Sequence, residues 1–238
     1  MLRHYPKITT DGLILCLDAA NVLSYPGSGT SWLDLSSNNL NASSVQSPTF
    51  SSNNGGFFTF DGGSITATGQ VDSFSISDNS LLDTLSAISI EMWIYINTIQ
   101  GSGSANMLFS KRGLNTNGYV GFFTNSSFIF RIGTSSPTQL SWSTTPTTGV
   151  WQQIIITVGS SGGKIYKNGV EVVNSGSYTG SFGNIDTSAS LLIGDVNPNN
   201  SGLYGFNGRF SIFKIYNKIL SSTDILNNYY AIKGRYGL

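Results

Sequence analysis

Along residues 87–97, AISIEMWIYIN, apolar side chains fall on every second position. Ile88, Ile90, Met92, Ile94 and Ile96 share one face, and Ser89, Glu91, Trp93 and Tyr95 share the other. Side chains alternate across a strand with a period of two, so this spacing predicts a strand with one fully apolar face. Similar short runs recur down the chain: GLILCLDA (12–19), VWQQIIITVG (150–159), SASLLIGDV (188–196) and GRFSIFKIYN (208–217). TSWLDLSSNNLNA (30–42) reads as a loop or short strand followed by a turn, and GGFFTFDGGSITA (55–67) as a strand pair around DGG. GYVGFFTNSSFIFRIG (118–133) predicts a hairpin around Asn125–Ser127. GGKIYKNGVEVVN (162–174) predicts a tighter one at Asn168–Gly169, because both central positions of a type I′ turn need φ > 0.

One segment changes period. After the strand ending near Asn217, Ser221 stands three residues before Asp224, the spacing of a helix capping box. Leu220 and Ile225 flank the cap as a hydrophobic staple, and Ile225, Tyr229 and Ile232 recur at i, i+4 and i+7. Lys233 suits the helix C-terminus and Gly234 a left-handed cap, so one short helix is expected to lie over the end of the body. Strands at nearly regular spacing without 10–15-residue helices between them predict an all-β fold, an antiparallel β-sandwich with a short C-terminal helix. The expected organisation is an N-terminal arm, 1–11, and one sandwich domain, 12–238.

Composition narrows the chemistry. Only 10% of residues are charged, against a usual quarter, and the formal net charge is zero. Such a surface has nothing to steer it to nucleic acid or to an anionic membrane. No apolar run reaches the roughly 20 residues of a membrane-spanning helix, and the first residues lack the apolar core of an export signal. Cys16, alone in an apolar strand, makes no internal disulfide and reads as a core residue. His4 lies in the MLRHYPK segment, which reads either as a solvated arm or as a docking arm for another protein.

Three stretches together resemble the laminin-G-like, concanavalin A-like jelly-roll superfamily: ISIEMWIYIN, the pair WQQIIITV and GGKIYKNGVEV, and the closing LLIGD through GFNGRFSIFKIYNKILSSTDILNNY. The ends, DGLILCLDAANVLSYPGSGTSWLDLS and NYYAIKGRYGL, resemble the version of this domain in structural proteins of tailed bacteriophages. That resemblance implies a jelly roll. It also implies a non-enzymatic virion component, a capsid decoration or tail-associated protein made in the host cytoplasm and displayed on the virion surface. Its expected partners are other virion proteins and further copies of itself. The alternative is a carbohydrate-binding adhesin for host or environmental polysaccharide.

Some members of the superfamily are glycoside hydrolases, which need two carboxyl groups flanking the scissile bond. This chain has two glutamates, Glu91 and Glu171, and neither has a second acid two or four residues on, so catalysis is not expected. The resemblance also implies Ca²⁺ at the sandwich rim, with Asp61 of FDGG and Asp195 and Asn197 of GDVNPNN as candidate ligands. The chain departs from many relatives where Ser211–Ile212 replaces an adjacent Asp–Glu pair, and Asp61 and Asp195 read otherwise as turn residues. Trp93 and Trp151 sit in strands and read as core. Trp32, Trp142, Tyr25 and Tyr204 fall in Asn-, Ser- and Gly-rich segments, where an aromatic platform for a sugar is expected if one exists.

Overall fold

A computed structural model describes residues 6–65, 71–112, 117–133, 138–172, 185, 187–196 and 203–238. Two antiparallel sheets face each other. The first runs, edge to edge, through Val170–Val172, Gly162–Lys167, Trp151–Gly159, Ala87–Ile96, Asn207–Tyr216, Phe57–Asp61 and Thr49–Ser51, and Leu13–Asp18 also pairs with Asn207–Tyr216. The second runs through Thr138–Trp142, Phe128–Ile132, Gly118–Phe123, Asn106–Arg112, Leu191–Ile193, Ser73–Ile76, Ala42–Val45 and Ser31–Trp32. Hairpin neighbours lie toward the sheet edges, while the central pairs of both sheets join strands distant in sequence, consistent with a jelly roll.

The period-two pattern of Ala87–Ile96 is realised as expected. Ile88, Ile90, Met92, Ile94 and Ile96 point between the sheets, where they meet Phe109, Phe123, Phe130 and Leu191 from the opposite layer. Each such side chain, fully buried, stabilises by about 1.5–3 kcal/mol relative to exposure. Asn168 and Gly169 both take positive φ, +52° and +79°, at the predicted hairpin, and Thr124 N–H bonds Ser127 O at the other. The segment around DGG is not a strand pair. Gly62 and Gly63, with φ of +70° and +117°, carry the chain from Phe57–Asp61 in the first sheet to Ser64–Ile65, which pairs with Leu203–Tyr204 in the second.

Ser222–Ile232 is the helix, and its capping box forms: Ser221 Oγ accepts from Asp224 N–H at 3.1 Å while Asp224 accepts from Ser221 N–H at 3.0 Å. Its C-terminus differs from expectation. Gly234 lies inside a following 3₁₀ turn, Lys233–Tyr236, and Gly237 at φ +73° takes the left-handed position. Nor does the helix close an end of the sandwich. It lies across the outer face of the first sheet, with Ile225 against Ile155, Tyr166 and Tyr216, and Ile232 and Tyr236 against Trp93, Trp151 and Ile212. Trp93 and Trp151 are therefore buried as expected, but under the helix rather than between the sheets.

A polar hub also holds the helix. Glu91, wholly buried, accepts from Asn228 of the helix at 2.7 Å and from Gln153 of the adjacent strand at 2.9 Å, and stands 3.3 Å from the Lys214 ammonium. Of the expected arm, Ile8 packs beside the helix and Thr9 N–H donates to Asn228 Oδ1 at 2.7 Å, so residues 8–9 belong to the body; His4 lies outside the described residues. On the second sheet the buried Lys111 ammonium touches Asp78, Asp83 and the carbonyls of Thr187 and Ala189 at 2.7–3.0 Å. Among the described residues no helix is long and apolar enough to cross a membrane.

Candidate functional site

At one end of the sandwich, five segments converge where the chain passes between sheets. Gly205 N–H bonds Gly63 O, Phe206 N–H bonds Gly194 O, and Asn97 N–H bonds Asn207 O. The turn at Gly62–Gly63 is pinned by side chains: Gly63 N–H donates to Gln100 Oε1 at 3.1 Å, and Asn207 Nδ2 donates to Asp61 O at 2.7 Å. A Cβ at Gly62 would meet Gln100 and Asn207, so only glycine lets these amides approach. Gln100 is set in turn by Asn106, which accepts from its N–H at 2.7 Å and donates to its carbonyl at 3.0 Å.

The ring of Tyr204 rests on Gly101, at the tip of the GSGSAN loop, and the residue is half-buried. Asp61 is exposed beside Asp72, which accepts from Asp61 N–H at 3.2 Å and Ser47 N–H at 3.0 Å. Partial desolvation, then the Asp72 charge and a hydrogen bond with it, hold the Asp61 carboxyl above the usual carboxylate range. Two oxyacids, two amides and one phenol thus share a small rim lined by glycine. Such a set can bond vicinal hydroxyls while an aromatic edge covers an apolar ring face.

Asp195 stands at the same end but faces inward. It is 4% exposed, accepts from Val196 N–H at 2.7 Å and from the Val71 amide, and burial pushes its carboxyl up to about 6. With its oxygens turned to backbone amides between Val71 and Val196, it is not placed to serve as a metal ligand beside Asp61. Asn197 lies outside the described residues. Among the described residues no three His, Cys, Asp or Glu side chains gather as a metal site, and the expected Ca²⁺ set includes Asn197, which lies outside them. Ca²⁺ prefers six to eight oxygens, and Asp61 with Asp72 supplies only the start of such a shell.

Three of the four platform candidates are corrected. Trp32 and Trp142 are 0% exposed and Tyr25 is 6% exposed. Ser31–Trp32 and Thr138–Trp142 are edge strands rather than loops, and each tryptophan occupies the inward parity. Trp32 packs on Phe58 and Phe74, and Tyr25 on Phe50 and Phe58, with its hydroxyl bonded to Gly29 O. Aromatic residues at a sandwich edge close the core where no neighbouring strand remains to do so. Tyr204 alone of the four is partly exposed, paired with Ser64 and with its ring against Gly101.

The sequence did not single out Asp72, Gln100 or Asn207, or the patch adjoining them on the outer face of the first sheet. There Thr49, Thr59, Arg209 and Tyr95 stand opposite one another on four successive strands, with Tyr95 packed against the cluster that the helix covers. Simple alternation in GRFSIFKIYN would group Arg209 with Phe213 and Ile215, which face the core; the register shift between Phe210 and Ile212 turns it outward, so no sequence signal marks it. The two glutamates lie elsewhere: Glu91 under the helix, and Glu171 on the hairpin, 2.9 Å from Lys164.

Comparison with solved structures finds the same fold in bacterial toxins. The binding domain of Paraclostridial Mosquitocidal Protein 1 superposes with a TM-score of 0.66 at 15% identity, covering 92% of this chain and 52% of that one. Botulinum neurotoxin type C, described as entering cells in dependence on two ganglioside molecules, gives 0.70 at 17%, covering 93% and 51%. The binding domain of botulinum neurotoxin DC in complex with rat synaptotagmin II gives 0.66 at 16%, covering 93% and 52%. This chain spans about half the length of each, and at such identities the likeness is one of fold. No curated protein matches the chain by sequence. Residues 67–226 match the family model of the concanavalin A-like lectin/glucanases superfamily, and the chain belongs to it.

Proposed function

We propose that this chain is a non-enzymatic binding module that takes saccharide at the rim where Asp61, Asp72, Gln100, Tyr204 and Asn207 meet. The observation that carries this reading is the convergence of Gln100 and Asn207 on the Gly62–Gly63 turn that follows Asp61, with the partly exposed Tyr204 resting its ring on Gly101, next to Gln100 in the chain. Binding sites are typically built this way, with few polar groups fixed by a rigid scaffold around an apolar contact. The toxin relatives, described as binding domains and in one case as dependent on gangliosides, support recognition rather than catalysis.

Bond cleavage forms no part of the proposal. Glu91 is sealed under the helix and Glu171 is tied to Lys164 on a surface hairpin. Asp61 and Asp72 are in hydrogen-bonding contact, whereas glycosidase carboxyl groups stand about 5–9.5 Å apart to flank the bond. A glycan array tests the reading. Binding should be lost in both Tyr204→Ala and Asp61→Asn, each checked for an unchanged unfolding midpoint; a blank array, or hits that survive both changes, would refute it.

A second reading concerns where the module works. The chain ends resemble those of tailed-bacteriophage structural proteins, and we propose that it is displayed on a virion surface, docked on other virion proteins or on its own copies. Mass spectrometry of purified particles should find the chain as a repeated, stoichiometric component. Its absence from particles would end that reading without touching the saccharide site.

A further inference from the structure

Arg209 differs from the other arginines whose hydrogen bonds are seen. Arg131 donates to Gln139 Oε1 at 2.7 Å, and Arg235 holds both oxygens of Asp18 at 2.7 and 2.8 Å. Arg209 has no hydrogen-bond acceptor and no acid partner among the described residues. What holds it is aromatic: its guanidinium carbon lies 4.5 Å from the centroid of the Tyr95 ring and 5.0 Å from that of Phe57. A guanidinium resting on rings is already ordered, and its N–H donors point outward in its own plane, where the rings cannot satisfy them. That geometry is ready for a bidentate acceptor.

The surroundings narrow the acceptor. Arg209 is half-buried on the outer face of the first sheet, with Thr59 opposite on one side and Tyr95 on the other, and Thr49 beyond Thr59. Two residues along the same strand, Asn207 pairs with Asp61 of the rim site. Arg209 is the one cation among these hydroxyls, and the rim carboxylates of Asp61 and Asp72 repel an anion, so a polyhydroxylated ligand with a single carboxylate would set that group at Arg209 and its hydroxyls at the rim. An acidic protein partner would need a broader contact with a desolvated apolar centre.

We propose that Arg209 is the carboxylate-recognising residue of the saccharide site, and that the preferred ligands are acidic sugars, uronates or sialates. The inference rests on the saccharide reading above. Trigalacturonate and its methyl ester share one sugar backbone and differ at the carboxyl groups, ionised in one and methyl-capped and neutral in the other, and sialyllactose and lactose differ by one acidic sugar, so isothermal titration with these four probes tests the carboxylate in two independent pairs.

The acidic member of each pair should bind roughly tenfold or more tightly, weakening as NaCl rises. Arg209→Lys keeps the charge and the cation over the rings but loses the planar fork, so it should weaken the acidic ligands by roughly tenfold and leave the neutral ones unchanged. Arg209→Gln should abolish the preference, with an unfolding scan confirming that both variants fold. Equal affinity for acid and ester, or an unaffected Arg209→Lys, overturns the inference. So does tight binding of a hexaglutamate peptide with no acidic sugar bound. Neutral sugars bound through Tyr204 without any acid preference would overturn this inference alone; no saccharide bound at all would overturn both.

Discussion

Glu91 joins three strands and the helix, and its removal should separate two kinds of cost. In Glu91→Leu the Lys214 ammonium, 1% exposed, loses its one described partner, while Asn228, Gln153 and the Trp93 indole N–H lose a shared acceptor. Breaking a buried pair from one side costs about 3–5 kcal/mol, because an uncompensated charge stays in low dielectric. We expect about 4 kcal/mol, a large part of the 5–15 kcal/mol that holds a typical domain. Lys214→Met should cost less, about 2 kcal/mol, since the carboxylate keeps three N–H donors around it. The double variant removes both charges and should cost about 3 kcal/mol, well short of the sum of the two.

Urea unfolding at pH 7 reads these values. Tryptophan emission is a suitable probe, because Trp93 stacks on Tyr229 and Tyr236 directly under the helix. If Glu91→Leu costs under about 1 kcal/mol, or the double variant is additive, the pair does not act as a buried charge couple and the account of helix docking fails.

Asp195 supplies a pH test. Its carboxyl titrates near 6 when folded against an ordinary 3.8, so the stability from its protonated form is present below about 4 and is lost as pH rises through 6. Between pH 4 and 8 the stability of Asp195→Asn should therefore gain on the parent by about 2–3 kcal/mol; a difference that does not move with pH refutes the burial argument. Ser221→Ala removes the hydroxyl of the capping box and should cost about 1 kcal/mol in the same urea assay, with no loss if the cap is idle. Adding Ca²⁺ in place of EDTA should leave the thermal midpoint unchanged. A clear rise would mean that residues outside those described complete a site with Asp61 and Asp72.

Much of the local structure was legible in the sequence. Asn168–Gly169 declared a turn because two consecutive left-handed residues have few other uses, and Ser221 with Asp224 declared a helix start because the box is closed within four residues. The strand 87–96 declared its buried face by alternation alone. The site was only partly legible. Asp61 and Tyr204 were found as turn and loop residues, yet Trp32 and Trp142, in segments of similar composition, proved to be core. Loop composition marks where a chain turns, but not which side of an edge strand an aromatic ring takes.

What the sequence determined by itself were features whose partners lie a few residues away: alternation, turns, caps and the all-β character. The tertiary structure decided the rest. It set Asp18, Glu91 and Tyr204 beside Arg235, Asn228 and Gly101, and left Arg209 facing outward between two rings. Alternation tells a strand which face is buried without naming its neighbour. That choice is made by the packing of the two sheets as a whole, and sites assembled from distant strands come into being only with it.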